Sequence, residues 1–185
     1  MKTKDLVIVS LFTALTAVCA QIFVPLPFTP VSVTLQTLAV FLSGAILGSK
    51  KGALSQLVYI LLGAIGIPVF SEFSGGLHIL AGITGGYIWG FPIAAYIIGK
   101  VVEIYKGDST YVHVVSYTCS LLIGIAVIYT LGTLQFSLLN DMTFMQSLKL
   151  AVIPFIPADL FKIGLAVPMS ISVKKALVNN KLLYR

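Results

Sequence analysis

Two ionisable residues stand three apart in an otherwise apolar run. Asp159 and Lys162 interrupt the stretch from Ala151 to Met169. That spacing puts both on one face of a helix. A carboxylate accepts hydrogen bonds and an ammonium donates them, so the pair offers a ligand one of each. The plainer alternative is an ion pair that only neutralises itself. An ionisable group at the centre of a membrane-spanning helix costs about 2.5–3.5 kcal/mol on insertion scales, and such groups face the bundle interior. Pro157 suits the first turn of a helix. Asp159 then falls in that turn, where the helix dipole favours negative charge.

Other polar residues in apolar runs are few. Gln36 follows Ser32 and Thr34 early in one run, and its amide needs either a ligand or a neighbouring helix. Gln56 and Gln135 stand near the ends of two others. Tyr87 reads either as a ligand contact or as part of an interfacial aromatic belt; Trp89 reads as belt. Cys19 and Cys119 lie in apolar runs and read as small buried residues. Two histidines and two cysteines make no metal ligand set. The glycine-rich run from Gly75 to Gly86 is followed by no lysine, so it is not a phosphate loop. With no metal, no cofactor motif and no nucleophile–base pair, the chain reads as a non-enzyme that needs no cofactor.

The elements that must position these residues follow from hydropathy. Of 185 residues, 58% are hydrophobic and 10% charged. Such a chain cannot cover itself with a polar shell, and reads as a polytopic membrane protein. Six apolar stretches fall at 6–24, 33–48, 53–68, 82–99, 110–136 and 156–173. A span needs about 20 apolar residues, so the two shortest stretches need help from their flanks.

Charge gives the orientation. Lys2, Lys4, Lys50, Lys51, Lys100, Lys106, Lys174, Lys175, Lys181 and Arg185 all fall in alternate gaps. The other gaps, 25–32, 69–81 and 137–155, hold only Lys149, in a segment read as an interfacial helix over 141–152, capped by Asp141. Its apolar stripe is Phe144, Met145, Leu148 and Val152. Positive residues stay on the cytoplasmic side, which places both termini there after six crossings. The net charge of +6 is then a rim facing anionic lipid and calls for no nucleic acid. Lys2 and Lys4 before an apolar run also suggest an export signal. Val18 stands where a lipoprotein cleavage site needs a small residue, so the first stretch is read as retained.

The outer gaps are apolar rather than merely connecting. The first reads Pro25-Leu26-Pro27-Phe28-Thr29-Pro30, stiffened by three prolines. The second runs from Val69 to His78 through Phe70, Phe73, Gly75 and Gly76. Both read as loops lying on the protein.

Taken together, certain segments resemble the biotin-binding S components of energy-coupling-factor (ECF) vitamin transporters, the BioY family. They are Val33-Thr34-Leu35-Gln36-Thr37-Leu38-Ala39-Val40, Gly63 to Phe70, Ser74-Gly75-Gly76, Gly82 to Tyr87, and Pro154 to Lys162. The resemblance covers about residues 5–175. It implies one all-α domain over 1–185, an S-component-like bundle of six helices with a ligand pocket at the outer surface. It also implies a high-affinity biotin-capture subunit in the cell membrane. Asp159, Lys162, Gln36 and Tyr87 would contact the ligand, with Thr84, Gly85, Gly75, Gly76 and Phe28 beside them. Its partners would be a transmembrane coupling subunit and two ATP-binding subunits. The first span would dock them through small residues, with Ser10 and Ala14, and Thr13 and Ala17, each four apart. The family's usual Ala-x-x-x-Ala is not matched literally there. An S component for another vitamin or a small-solute carrier stays open, as does an intramembrane enzyme using Asp159, Lys162, Glu72 and His78.

Overall fold

The computed structural model describes residues 3–105, 110–180 and 182. Lys2, Lys106, Lys181 and Arg185, four of the ten charges above, lie outside them. Long apolar runs that must satisfy their own backbone form helices, and the chain is helical for most of its length. The helices are α1 (Thr3–Ala20), α2 (Gln36–Leu47), α3 (Ser49–Ala64), α4 (Leu77–Ala81), α5 (Gly85–Ile104), α6 (Thr110–Leu139), α7 (Phe144–Ala151) and α8 (Ile156–Asn179). Among the described residues, four segments are long and apolar enough to cross a membrane: α1, α5, α6, and α7 with α8. At about 1.5 Å per residue, α2 is about 18 Å long and α3 about 24 Å, both shorter than a hydrocarbon core.

α2 is the central element. Ten of its residues, from Gln36 to Leu47, are buried, and it packs against α1, α3, α5 and α8. α5 and α6 make the most extensive pairing in the bundle. Some polar groups inside link helices. The Gln56 amide is fully buried and donates to Thr16 and Ser43, 3.1 Å each, tying α1 to α2 and α3.

Two ends can be told apart. At one, Asp5 of α1 pairs with Lys51 of α3. The backbone N–H and hydroxyl of Ser49 both donate to Glu103 of α5. Lys174 of α8 reaches the Ala45 carbonyl of α2 at 3.4 Å and lies 5.9 Å from the ring centre of Tyr117 on α6. At the other end, β1 (Phe23–Val24) pairs antiparallel with β2 (Val33–Thr34). Gln21 holds the next connection there, donating to the Phe70 carbonyl at 3.0 Å and accepting from the Phe73 N–H at 2.9 Å. Ser32 donates to Glu72 at 2.9 Å, joining the two connections.

Several expected boundaries move, each for a local reason. α1 stops at Ala20 and α2 starts at Gln36 because residues between them form the β1–β2 ribbon. α3 begins at Ser49, so Lys50 and Lys51 ride its first turn. α8 runs to Asn179 and carries Lys174 and Lys175. The connection after α3 is not wholly loop, since it contains a 3-10 turn (Ser71–Phe73) and α4. The cap of α7 is Thr143, not Asp141. Its hydroxyl accepts from the Gln146 N–H while the Gln146 side chain accepts from the Thr143 N–H, the reciprocal capping pattern. Asp141 has a φ of 50° in the preceding turn.

Candidate ligand-binding site

A pocket lies at the ribbon end of the bundle and opens to the outside. Its floor comes from three helices. α2 contributes Gln36 and Thr37, α6 contributes Ile128 and Tyr129, and α8 contributes Asp159 and Lys162. α5 supplies the wall of Tyr87, Ile88 and Phe91, beside Phe155. Val31 to Thr34 and Ser71 close the mouth from the two connections.

The α8 pair is placed by helical period. Asp159, Lys162, Ile163, Ala166, Val167 and Ser170 form its buried stripe, while Leu160 and Phe161 face outward. Asp159 and Lys162 are each only 5% exposed. The Lys162 ammonium lies 2.7 Å from Asp159 Oδ1. Thr37 donates to the same oxygen at 2.8 Å and accepts from Lys162 at 3.0 Å. The Tyr129 hydroxyl donates to Asp159 Oδ2.

Gln36 is held from two sides. Its oxygen accepts from the Thr34 hydroxyl at 2.9 Å and its nitrogen donates to the Tyr59 hydroxyl at 2.6 Å. Tyr59 in turn donates to the Val69 carbonyl at 3.0 Å, which anchors the second connection to the pocket floor. Tyr87 gives the pocket its ring, because its hydroxyl is committed to the Ala151 carbonyl at 2.8 Å.

Helix ends set the field. α2, α5 and α8 all begin at this pocket; the N-cap residues give no side-chain cap, and the first N–H of α2 donates to the Thr34 hydroxyl at 3.2 Å. Their N-terminal backbone groups favour negative charge. Asp159 in the first turn of α8 is one such charge, and Lys162 adds a fixed cation. The site therefore combines one paired carboxylate, one ammonium, neutral hydroxyls and apolar walls. It suits a compact ligand with both hydrogen-bonding edges and apolar faces.

Of the residues singled out in the sequence, Asp159, Lys162, Gln36, Tyr87 and Thr84 come together here. Four do not reach the wall. Phe28 is 58% exposed, and Thr29 is the residue its loop turns inward. Gly85 is buried where α5 begins. Gly75 and Gly76 lie in the second connection, where Gly76 has a φ of 107° and donates to the Gly63 carbonyl at 2.7 Å. That backbone conformation suits glycine and shapes the loop rather than the wall. Thr37 and Tyr129 were not singled out. On α1, Ser10 and Ala14 are exposed and Ala17 is half-buried. Thr13 departs from this face. It is buried, and its hydroxyl donates to the Ser55 carbonyl of α3 at 2.8 Å, so it holds the chain's own bundle together.

A family model described as the BioY family matches residues 1–179. The chain belongs to the BioY family. Among curated relatives, the "Probable biotin transporter BioY" of Pyrococcus horikoshii is 45% identical over 167 residues, covering 90% of this chain and 94% of that protein. The "Biotin transporter BioY" of Thermotoga maritima is 38% identical over 173 residues, covering 93% and 96%. Among solved structures, the S-component for biotin from an ECF-type ABC transporter matches with a TM-score of 0.85 and 25% identity over 95% of each chain. The BioY assignment and that likeness give the fold as an S-component bundle and the chain as a multi-pass membrane protein.

Proposed function

We propose that this chain captures biotin at the outer face of a cell membrane, as the substrate-binding subunit of an ECF-type uptake transporter, and is not an enzyme. The observation that carries the reading is the buried Asp159–Lys162 pair, held by half-buried Thr37 and Tyr129 in an apolar-walled pocket. Biotin has a cyclic urea with two N–H donors and one carbonyl, an apolar sulfur ring and a carboxylate tail. Asp159 accepts from a urea N–H. Lys162 and the three helix starts provide for the carbonyl and the carboxylate. The BioY relatives and the biotin S-component support the same ligand.

The topology reading is six crossings with both termini cytoplasmic. Its support is that the start of α1, the α2–α3 turn, the end of α5 and the end of α8 meet at one end. That end carries the lysines, as the positive-inside rule requires, and the pocket lies at the other. The chain carries no nucleotide-binding motif, so uptake draws on a transmembrane coupling subunit and two ATP-binding subunits. Mass spectrometry of ligand released from the purified protein, followed by calorimetric titration with biotin, tests the reading. Release of a different vitamin, with no heat on adding biotin, would overturn it.

A further inference from the structure

We infer that Tyr129 is a positioning residue for recognition, one whose hydroxyl keeps the Asp159–Lys162 pair from closing on itself. The inference rests on the biotin reading above. A carboxylate and an ammonium three residues apart on one helix lie within reach of each other. Left alone, both carboxylate oxygens turn toward the ammonium, and neither partner then offers a ligand an unshared edge. Here the two oxygens are divided. Oδ1 takes Lys162 at 2.7 Å and Thr37 at 2.8 Å, both from the α2–α8 side. Oδ2 takes the Tyr129 hydroxyl from α6.

The division is fixed by elements, not by one flexible side chain. Thr37 accepts from Lys162 at 3.0 Å, so its own proton is directed to Oδ1. Tyr129 follows Ile128 on α6, and Ile125 and Ile128 are buried in the core, so its ring approaches from a packed helix. An ammonium has three donors and a carboxylate oxygen two lone pairs. Among the described residues, Lys162 donates to Thr37 and Asp159 only, and Oδ2 accepts from Tyr129 only. One donor and one acceptor therefore remain, on groups already in contact through Oδ1. That is the complement of an N–H next to a C=O, the edge of a cyclic urea. Without the Tyr129 hydroxyl, Oδ2 swings to Lys162 and this edge is lost.

Tyr129→Phe keeps the ring and its packing. The variant should bind biotin at least about tenfold more weakly, the change expected when one hydrogen bond to a charged group is removed, with its thermal unfolding unchanged. A purely packing role would give the same answer in any background, so the deciding measurement is a cycle. In an Asp159→Asn background Tyr129→Phe should cost little further affinity, because no divided carboxylate is left to hold. Wild-type affinity in the single variant, or effects that simply add in the double variant, would overturn the inference. Absence of biotin binding by the unaltered protein would overturn the biotin reading itself, and would appear before any variant is compared.

Discussion

Replacing Asp159 by asparagine keeps the shape of the side chain and changes what it offers. The new amide has one oxygen and one NH2, and the structure decides which goes where. An NH2 in the Oδ1 position would face the Lys162 ammonium 2.7 Å away, donor against donor. The oxygen therefore stays there, and the NH2 takes the Oδ2 position beside Tyr129. A ligand N–H that used Oδ2 now meets a donor. Losing one hydrogen bond to a charged group costs about 1.5–3 kcal/mol, roughly 10- to 150-fold in Kd. The fold loses something separate. Lys162 is buried and left without its counter-charge, and removing one partner of a buried pair costs about 3–5 kcal/mol. Adding Lys162→Met removes the orphaned ammonium and fills the space with an apolar chain. The double variant should regain thermal stability and still fail to bind. Lys162→Met alone should bind weakly and lose some stability, because Thr37 and Tyr129 still donate to Asp159 but its buried carboxylate has lost its counter-charge. The assay is calorimetric titration with biotin in detergent, beside thermal unfolding, on monodisperse samples. A wild-type Kd for Asp159→Asn would refute the argument and leave the pair a purely structural one.

Three further outcomes are expected. Biotin should slow thiol labelling of Phe73→Cys, because the Ser32–Glu72 and Gln21–Phe73 contacts draw the two connections over the pocket; equal rates with and without ligand would mean that the connections do not act as a lid. Ala14→Trp should abolish co-purification with a coupling subunit while biotin binding persists, since Ala14 is exposed on α1; loss of both together would put Ala14 inside this chain's own packing. A reporter fused after Arg185 should be cytoplasmic and one inserted at Ser74 external, and a protected Ser74 insertion would reverse the topology.

What could be read from the sequence depended on whether one residue carries its own meaning. A carboxylate and an ammonium in an apolar run are conspicuous wherever the chain goes, and three residues of helix place them on one face. Tyr129 carries no such signal. A tyrosine between Ile128 and Thr130 in an apolar run fits a core, a belt or a site equally well, and becomes a site residue only through Asp159, 30 positions away. Thr37 was hidden in the same way beside the more conspicuous Gln36. Loop residues pose a different difficulty. The proline-rich composition around Phe28 identified a stiff apolar segment, but which side chain turns inward is set by the β1–β2 ribbon, and it is Thr29. On α1 the four-residue spacing linked Thr13 to Ala17 but said nothing of the α3 carbonyl that draws Thr13 in.

The short helices follow from the pocket. α2, at about 18 Å, stops well short of a hydrocarbon core although it is buried almost all round. Helices that pack only against one another gain from running the full depth. α2 starts late because the space beyond Gln36 is the pocket, and its N-terminus is part of the floor. The same holds for the starts of α5 and α8, each beside a lining residue, Thr84 and Phe155. The first N–H groups there turn to local acceptors, Gln36 to the Thr34 hydroxyl and Gly85 to the Gly82 carbonyl. The connections above must therefore cover the site with apolar and backbone-satisfied segments, which is why prolines, aromatic residues and a ribbon stand where a plain turn would join two spans. Removing one hydroxyl from the pocket floor without changing its volume is then the sharpest way to separate fold from function. Thr37→Val removes a hydroxyl that both orients Asp159 and accepts from Lys162, yet leaves the volume of α2 almost unchanged. It should lower biotin affinity while the bundle stays intact, and titration beside thermal unfolding reads the two effects apart. Equal losses in both would mean that the Thr37 hydroxyl holds the helices together rather than the site.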